Sequence, residues 1–231
     1  MSKENFTSAL ILAAGIGSRM RSDTTKQKMQ IMGKSVLLRT ALAFDAAKCV
    51  DELVVVCRKD EMDFAKSELS TVKKPVRIVE GGNTRQESAA CGLLAVSFDA
   101  RFVAVHDAAR CMVTSKLIDE VASCAYVHRA ASAVALVTDT VKALDENGMI
   151  ISTVPRDTLR AAQTPQIFEK ALYEEAQSAA RDKAVTDDNM MLEFIGVPVY
   201  PVVSEEHNFK ITTKKDIEYA EFLIRGGYVN E

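Results

Sequence analysis

The sequence predicts an α/β fold built on a mostly parallel sheet. Apolar runs typical of buried strands alternate with segments of helical spacing, as in the predicted helix over 36–49 and the strand Leu53–Cys57. Such alternation requires right-handed crossovers, which make successive strands parallel. A β-hairpin pattern over about 138–156 interrupts it. The predicted architecture is therefore Rossmann-like, with helices on both faces of the sheet and a protruding β-hairpin arm.

Composition indicates an ordinary folded protein. The chain has 231 residues, of which 48% are hydrophobic and 26% charged, and no apolar run approaches the length of a membrane span. This length suits one domain over 1–231, although two domains are possible. The net charge of −3 argues against nucleic-acid binding. We therefore expect a small-molecule ligand, with no nucleic acid and no membrane among the partners.

The cysteines and the first residues bear on the compartment. Five cysteines form no Cys-x-x-Cys pair, so they indicate neither a disulfide framework nor a zinc site. The polar start Met1–Asn5 does not resemble a cleaved signal peptide. We expect a cytoplasmic protein with reduced and mostly buried thiols.

The first predicted strand, over 9–14, runs into a glycine-rich and basic stretch. Gly15 and Gly17 allow close backbone approach to a ligand, and Arg19, Arg21 and Lys26 supply positive charge. The spacing fits neither a dinucleotide fingerprint nor a Walker loop. A nucleoside triphosphate is the favoured ligand, and a surface turn with solvated basic residues is the alternative.

The remaining elements follow in order. The pattern predicts helices over 36–49, 60–69, 85–96, 169–180, 186–194 and 214–225, strands over 53–57, 76–79, 102–106 and 133–137, a hairpin over 138–144 and 149–154, and a proline-broken edge strand over 197–203. Ligands are expected outside the carboxyl ends of the parallel strands.

The loop over 81–88 follows one of these strands. Its N–H groups, Asn83 and Ser88 can hydrogen-bond a base or a sugar. The alternative is a simple helix cap, because Thr84 and Glu87 have the spacing of a capping box.

The strand over 102–106 is followed by a carboxylate, Asp107, which can reach solvent where the sheet stops. A single carboxylate suits magnesium, which takes its other oxygen ligands from phosphates and water. His106 has no partner histidines at metal-ligand spacing and is interpreted as structural. Two later segments add a loop hydroxyl, Thr164, and a cation, Lys210, either of which could belong to a turn.

The hairpin has an Asn147-Gly148 turn and apolar residues on both strands. An isolated two-stranded hairpin is marginal in water, so it should pack against something outside its own sheet. A second copy of the chain would cover it.

The ordered set of loops resembles the 2-C-methyl-D-erythritol 4-phosphate cytidylyltransferase family, which acts in the non-mevalonate isoprenoid pathway. The matching segments span almost the whole chain: Ala13–Met20 with Lys26 and Gln27, Gly81–Ser88, Val105–Arg110, Asp139–Lys142, Arg156, Gln163–Gln166, Thr186–Asp188 and Lys210–Thr213.

The resemblance implies a role for each matched residue. The triphosphate would be held by backbone and cations, the base and ribose by polar residues, and the substrate phosphate and polyol by residues partly delivered from a partner subunit. The implied nucleotide-binding residues are Ala13, Ala14, Gly15, Gly17, Arg19, Lys26, Gly82, Asn83, Ser88 and Thr164. The implied substrate-binding residues are Arg110, Thr140, Arg156, Thr186 and Lys210, and magnesium would bind Asp107. The implied catalytic groups are Arg19, Lys26, Asp107, Arg156 and Lys210 in a homodimer.

Three positions depart from the family's usual pattern. Thr25 replaces a proline before Lys26, Lys28 replaces an aromatic residue, and Cys111 replaces a proline. Losing proline releases backbone freedom, so weaker nucleotide binding is expected while the charged groups remain.

Two other functions stay open. A related enzyme could use ribitol 5-phosphate or another sugar phosphate, although Ala108 and Ala109 favour methylerythritol phosphate because ribitol enzymes tend to replace them. The altered first loop could also mark a nucleotide-binding protein without turnover.

Overall fold

A seven-stranded sheet lies at the centre of the computed structural model, which describes residues 4–15 and 25–229. The strands of the described residues are β1 (Thr7–Leu12), β2 (Gln30–Ile31), β3 (Lys34–Ser35), β4 (Val50–Cys57), β5 (Val76–Glu80), β6 (Phe102–Asp107), β7 (Ala130–Leu136), β8 (Val141–Leu144), β9 (Ile150–Val154), β10 (Arg160–Glu169) and β11 (Tyr200–Val203). The helices are α1 (Val36–Ala46), α2 (Met62–Glu68), α3 (Arg85–Ala95), α4 (Ser115–His128), α5 (Lys170–Ala179), α6 (Asp188–Glu193) and α7 (Lys214–Arg225).

The strand order in the sheet is β11-β7-β10-β6-β1-β4-β5. Only β10 runs antiparallel to its neighbours, so the predicted mostly parallel sheet is confirmed. After β1, the chain adds β4 and β5 on one side of β1 and then places β6 on the opposite side of β1. This reversal makes the ends of β1 and β6 the point where a parallel sheet opens a crevice for a ligand.

Helices cover both faces of the sheet, as predicted. Alternate residues of β1 point to opposite faces, so Ile11 joins one core cluster and Leu10 joins the other. Helices α1, α2 and α4 contribute to the first cluster, and α3, α5 and α6 to the second. Helix α7 packs away from the sheet in a third cluster with Ile31 and Met112.

One helix packs unusually closely on the sheet. A Cβ atom added to Gly92 of α3 would lie 2.1 Å from Leu10 Cδ1 and 2.6 Å from Val56 Cγ2. Only glycine at this position lets α3 approach the sheet so closely. This approach brings the first turn of α3 beside the carboxyl ends of β1 and β4.

Two long elements were absent from the sequence prediction, as were the two-residue strands β2 and β3. Helix α4 buries Leu117, Ile118 and Val121 at helical spacing, a signal that the sequence contains. The stretch interpreted as a loop around Thr164 lies within strand β10, but its pairing with β7 shifts register between Ala162 and Gln166, so residues 163–165 form an irregularity in the strand. Pairing on either side of this irregularity places the segment in the sheet despite its local turn chemistry.

Other boundaries differ modestly. Helix α6 is shorter than the predicted 186–194, whereas α7 has the predicted bounds. Strand β11 lies at the sheet edge, as its prolines indicated.

The hairpin predicted over 138–156 forms a separate two-stranded sheet of β8 and β9. Its turn is fixed by Asp145, whose Oδ1 accepts hydrogen bonds from the N–H groups of Asn147 and Met149 at 2.9 Å. Gly148 adopts a φ of 80°, which favours glycine. The turn predicted at Asn147-Gly148 is confirmed.

Among the described residues, no helix combines the length and apolar character needed to cross a membrane.

Candidate active site

A cavity of about 440 Å³ opens at the carboxyl ends of β1 and β6. Eight of the predicted site residues surround it: Ala14, Gly15, Lys26, Gly82, Asn83, Ser88, Asp107 and Lys210. Leu12, Gln27, Thr84, Arg85 and Ala109 complete its described lining. Residues from five separate segments therefore meet where the sheet topology places a ligand.

The charge of this lining is positive. Lys26, Arg85 and Lys210 contribute three cations against the single carboxylate of Asp107. Gln27 also faces the cavity, and its Oε1 atom is buried with no hydrogen-bond partner among the described residues. Since buried polar atoms are normally paired, this acceptor is available to a bound ligand.

The glycine loop before α3 packs against the end of β1. A Cβ on Gly81 would lie 2.8 Å from Ala14 Cβ, and one on Gly82 would lie 2.3 Å from Glu87 Cβ. The Thr84 hydroxyl accepts the N–H of Glu87 at 3.0 Å and caps α3. The Glu87 carboxylate accepts a hydrogen bond from the N–H of Asn83 at 2.7 Å. The spacing of a capping box predicted the N–H of Thr84 as the donor, so the observed donor lies one residue earlier in the chain.

Asp107 lies at the centre of a chain of charges. Its Oδ1 is 3.1 Å from Arg85 Nε, and its Oδ2 is 2.6 Å from Lys210 Nζ. Arg85 also reaches Asp188 Oδ2 at 2.7 Å, and the Tyr173 hydroxyl donates to Asp188 Oδ1 at 2.7 Å. The sequence predicted Asp107 in contact with solvent, but its side chain is only 13% exposed, because two cations cover it.

These contacts set the protonation of the site. Burial by itself raises the pKa of Asp107, but the positive charges of Arg85 and Lys210 outweigh it and hold the pKa well below the usual range. Burial likewise opposes the charge on Arg85, and Asp188 and Asp107 outweigh it and raise the pKa of the guanidinium. Both groups therefore stay ionised at neutral pH.

Arg85 and Asp188 were not identified from the sequence. Both stand inside segments that carry the family resemblance, and Asp188 is entirely buried at the start of α6. A buried acid is rare unless paired, so an aspartate in a helix that faces the core was the available signal. Its partner could not be assigned without the fold.

Thr164 lies beneath the cavity rather than in its lining. It is buried in β10, and its hydroxyl accepts the N–H of Asp107 at 3.1 Å and lies 3.0 Å from His106 Nδ1. The other ring nitrogen of His106 lies 3.2 Å from the Arg110 carbonyl. Burial lowers the pKa of His106 to about 3, so the ring is neutral and serves the structural role predicted for it.

Asn208 fixes the segment that carries Lys210. It is fully buried, and its Nδ2 donates to Gln163 Oε1 at 2.7 Å and to the Thr164 carbonyl at 3.1 Å. Its own carbonyl accepts a hydrogen bond from Arg110 Nη1 at 3.0 Å. Predicted site residues from three parts of the chain are thus tied together through an asparagine that had no predicted role.

Four predicted substrate-binding residues, Arg110 among them, lie outside the described cavity lining of the single chain. Thr140 and Arg156 are exposed on the hairpin arm, where Arg156 Nη1 donates to the Thr138 carbonyl. Thr186 is exposed before α6. Ala13 is buried at the end of β1, and Gly17, Arg19 and Arg21 lie outside the described residues.

Metal ligands do not cluster in the part of the chain that the structure describes. No group of three or more histidine, cysteine or acidic side chains could hold an ion there. A lone carboxylate beside cations fits only a metal whose other ligands come from the substrate and water.

The chain is similar to several known proteins. The family model described as 2-C-methyl-D-erythritol 4-phosphate cytidylyltransferase matches residues 7–226. A protein of that name from Caldanaerobacter subterraneus is 38% identical over 223 residues, which cover 94% of this chain and 98% of the relative. Another from Prochlorococcus marinus is 39% identical over 217 residues, 93% of this chain and 96% of the relative.

Solved structures give the same result. The 4-diphosphocytidyl-2C-methyl-D-erythritol synthase of Anaerococcus prevotii superposes with a TM-score of 0.87 at 32% identity and covers 96% of each chain. The 2-C-methyl-D-erythritol 4-phosphate cytidylyltransferase of Thermus thermophilus superposes with a TM-score of 0.76 at 34% identity, covering 95% of this chain and 99% of the other. This chain therefore belongs to the 2-C-methyl-D-erythritol 4-phosphate cytidylyltransferase family of nucleotidyltransferases.

Proposed function

We propose that the protein joins CTP and 2-C-methyl-D-erythritol 4-phosphate to form the CDP-polyol and pyrophosphate, a step of non-mevalonate isoprenoid precursor synthesis. The observation that supports this most directly is the convergence of Lys26, Lys210 and Arg85 on one cavity at the ends of β1 and β6. A triphosphate that meets a phosphate monoester brings several negative charges into one place. Such a reaction needs a positive cavity of this kind.

The chemistry requires no protein nucleophile. The substrate phosphate is largely ionised near pH 7, so one of its oxygens can attack the α-phosphorus of CTP. The new phosphorus–oxygen bond forms as the bond to the β-phosphate oxygen breaks, and pyrophosphate leaves with the electron pair. The protein therefore acts by positioning the two phosphates and neutralising their charge.

The chain's own residues divide this work. We assign the triphosphate to Lys26, Arg19 and the backbone of Gly15 and Gly17, and the cytosine and ribose to Gly82, Asn83 and Ser88. Thr164, which was predicted to bind the nucleotide directly, would instead support this wall from beneath through its hydrogen bond with the Asp107 N–H. Lys210 would approach the attacking phosphate from the other wall of the cavity, because its ion pair with Asp107 already holds it there. Arg110 would lie near the polyol, beside Asn208.

We assign magnesium to Asp107. The carboxylate is ionised and lies at the cavity wall, and each of its oxygens keeps a lone pair beyond its contact with a cation. A bound magnesium ion would neutralise charge on the phosphate oxygens. Arg85 and Lys210 would keep the carboxylate turned towards that ion.

We further propose a homodimer in which the hairpin arm completes the neighbouring site. Large apolar side chains on the arm are exposed, among them Leu144 at 57%, Ile150 at 66% and Ile151 at 64%. Covering them would remove an apolar patch from water. The same arm carries Thr140 and Arg156, which the single chain leaves away from its own cavity, and Thr186 would complete the phosphate site.

The expected compartment is the cytoplasm. All five cysteines are free, and three of them, Cys49, Cys57 and Cys111, are buried. Free thiols in this number suit a reducing environment.

The activity is tested by incubating the protein with CTP, magnesium and one candidate phosphate at a time, and measuring pyrophosphate. We expect turnover with 2-C-methyl-D-erythritol 4-phosphate and loss of turnover when a chelator removes the metal. Faster turnover with ribitol 5-phosphate would replace the substrate assignment, and CTP binding without turnover would favour a non-catalytic protein. Full activity in the chelator would exclude the magnesium assignment.

A further inference from the structure

A buried carboxylate lies behind the segment that carries Lys26. Glu61 ends a single helical turn over Lys59–Glu61 that follows β4, and its side chain is only 3% exposed. A carboxylate removed from water is costly unless other groups pair with it. Its partners therefore show what this residue is placed to hold.

Both described side-chain partners of Glu61 come from the Lys26 segment. The Thr25 hydroxyl donates a hydrogen bond to Glu61 Oε1, and Lys28 Nζ lies 4.0 Å from the same oxygen. Lys28 also lies 5.3 Å above the ring of Phe64 in α2. One carboxylate oxygen thus joins two residues that flank the predicted triphosphate lysine.

The segment between these contacts is a single turn. The Lys28 N–H donates to the Thr25 carbonyl at 3.1 Å, and the Met29 N–H donates to the Lys26 carbonyl at 3.2 Å. Lys26 and Gln27 project from this turn into the cavity lining. Holding Thr25 and Lys28 therefore fixes the direction from which Lys26 reaches the ligand.

Thr25 and Lys28 are two of the three positions at which this chain departs from the family pattern described above. Thr25 has a φ of −69°, a value that proline would also impose. Proline would stiffen the backbone directly, whereas threonine leaves it free to move unless the side chain is bonded. The contact with Glu61 supplies this restraint from another element.

We propose that Glu61 is a positioning residue that holds the Lys26 turn in place for the triphosphate of CTP. The inference rests on the proposed function for the identity of the ligand. The restraint of the Lys26 turn by Glu61 is independent of that function, because it exists in the protein without ligand. The two parts can be measured separately.

The first measurement is kinetic and uses Glu61→Gln, Thr25→Val and the double variant. Thr25→Val removes this hydrogen bond and Glu61→Gln removes the charge that strengthens it, so a loss of about 1 kcal/mol should raise the KM for CTP about fivefold and leave the KM for the polyol phosphate unchanged. The double variant should match the worse single variant, because both changes act on the same contact. Thr25→Ser keeps the hydroxyl and should behave as wild type.

The matched control is Asp63→Asn, which makes the same acid-to-amide change in the next turn. The Asp63 side chain is fully exposed and pairs only with Lys66 among the described residues. The KM for CTP of the Asp63→Asn variant should equal that of wild type. Equal rises in both KM values for Glu61→Gln, or a rise in the control, would show a general structural effect and overturn the proposal.

The second measurement is hydrogen exchange without ligand. The amides of Lys28 and Met29 should exchange faster in Glu61→Gln and Thr25→Val than in wild type, and Thr25→Pro should retain slow exchange at Met29 because its φ is preset. Unchanged exchange in both of the first two variants would overturn the proposal even if wild type binds CTP.

A wild type that neither binds nor uses CTP would overturn the proposed function, while the exchange result would still decide whether Glu61 restrains the Lys26 turn. If Glu61→Gln does not fold, Thr25→Val provides the same test.

Discussion

At the scale of single residues, Arg85 is the group on which the site depends most. It bridges Asp107 at the cavity and Asp188 in the core, with distances of 3.1 and 2.7 Å. Breaking a buried ion pair leaves an uncompensated charge, which is more costly than removing both partners. The residue therefore links the shape of the active site to the stability of the fold.

Arg85→Ala should lower the free energy of unfolding by about 3 kcal/mol and reduce turnover strongly, because Asp188 would be left buried and charged. The double variant Arg85→Met with Asp188→Asn should recover most of the stability, since the charge at position 188 is gone and Asp107 keeps its ion pair with Lys210, but not the turnover. Denaturant unfolding and pyrophosphate release measure the two quantities. Recovered turnover in the double variant would show that Arg85 has no role in the reaction.

His106 gives a pH-dependent stability that can be assigned to one group. Its pKa is about 3 in the folded protein and about 6.5 in an unfolded chain, so below pH 6.5 the unfolded state binds the proton. The stability from this residue is complete above pH 6.5 and is lost as the pH falls towards 3. The slope should reach about 1.4 kcal/mol per pH unit.

The measurement is denaturant unfolding of wild type and His106→Asn between pH 7 and 4.5. Carboxylates titrate in both proteins, so their contribution cancels in the difference. The gap in stability between the two should narrow as the pH falls. A constant gap would show that His106 is not neutral and buried in solution.

At the scale of elements, the closeness of α3 to the sheet positions the glycine loop. Gly92 faces Leu10 and Val56 at distances too short for any Cβ atom. Moving α3 outward would also move Thr84 and Arg85, which begin the helix and line the cavity. Packing on one side of the helix is thus coupled to the site at its first turn.

Gly92→Ala should destabilise the protein by about 1–3 kcal/mol through overpacking, although alanine favours helix by about 1 kcal/mol. Cys91→Ala, on a less buried position of the same helix, is the control and should change stability little. Thermal unfolding and CTP binding measure both effects. A more stable Gly92→Ala would mean that helix propensity, not packing, dominates at this position.

At the scale of the whole molecule, the proposed dimer separates the residues of each site between two chains. Lys26 lines the cavity of its own chain, whereas Arg156 is on the arm and exposed. A two-fold symmetric dimer would create two equivalent sites, each with residues from both chains. Two variants that are each inactive alone can test this arrangement when they are mixed.

Lys26→Ala and Arg156→Ala should each be inactive, and mixing them under subunit exchange should restore activity. Random exchange makes half of the dimers mixed, and each mixed dimer has one intact site, so about a quarter of wild-type activity is expected. Each variant mixed with itself is the control. Variants that exchange but stay inactive, or a fully active monomer, would contradict the shared site.

Much of the fold followed from local pattern. The alternation of buried strands and helices, the glycine loops and Asp107 at the end of β6 were all predicted, because strand faces and strand ends depend on the order of neighbouring residues. Strand β10 was missed because Thr164 and Pro165 have the local chemistry of a turn, while the residues on either side of them pair with β7 and β6 and continue the strand across this irregularity. The conformation of such a segment is decided by the strands that pair with it, which lie far away in the sequence.

The sequence by itself determined which loops carry chemistry and in what order they occur, since these are properties of short segments. Only the tertiary structure decided which buried groups hold those loops. Arg85 with Asp188, Asn208 with Gln163, and Glu61 with Thr25 are contacts between residues far apart in the chain, the last pair separated by 36 positions. A carboxylate or amide looks the same in a sequence whether it is solvated or buried. Burial, which the packed fold alone sets, requires each of these groups to find its partner.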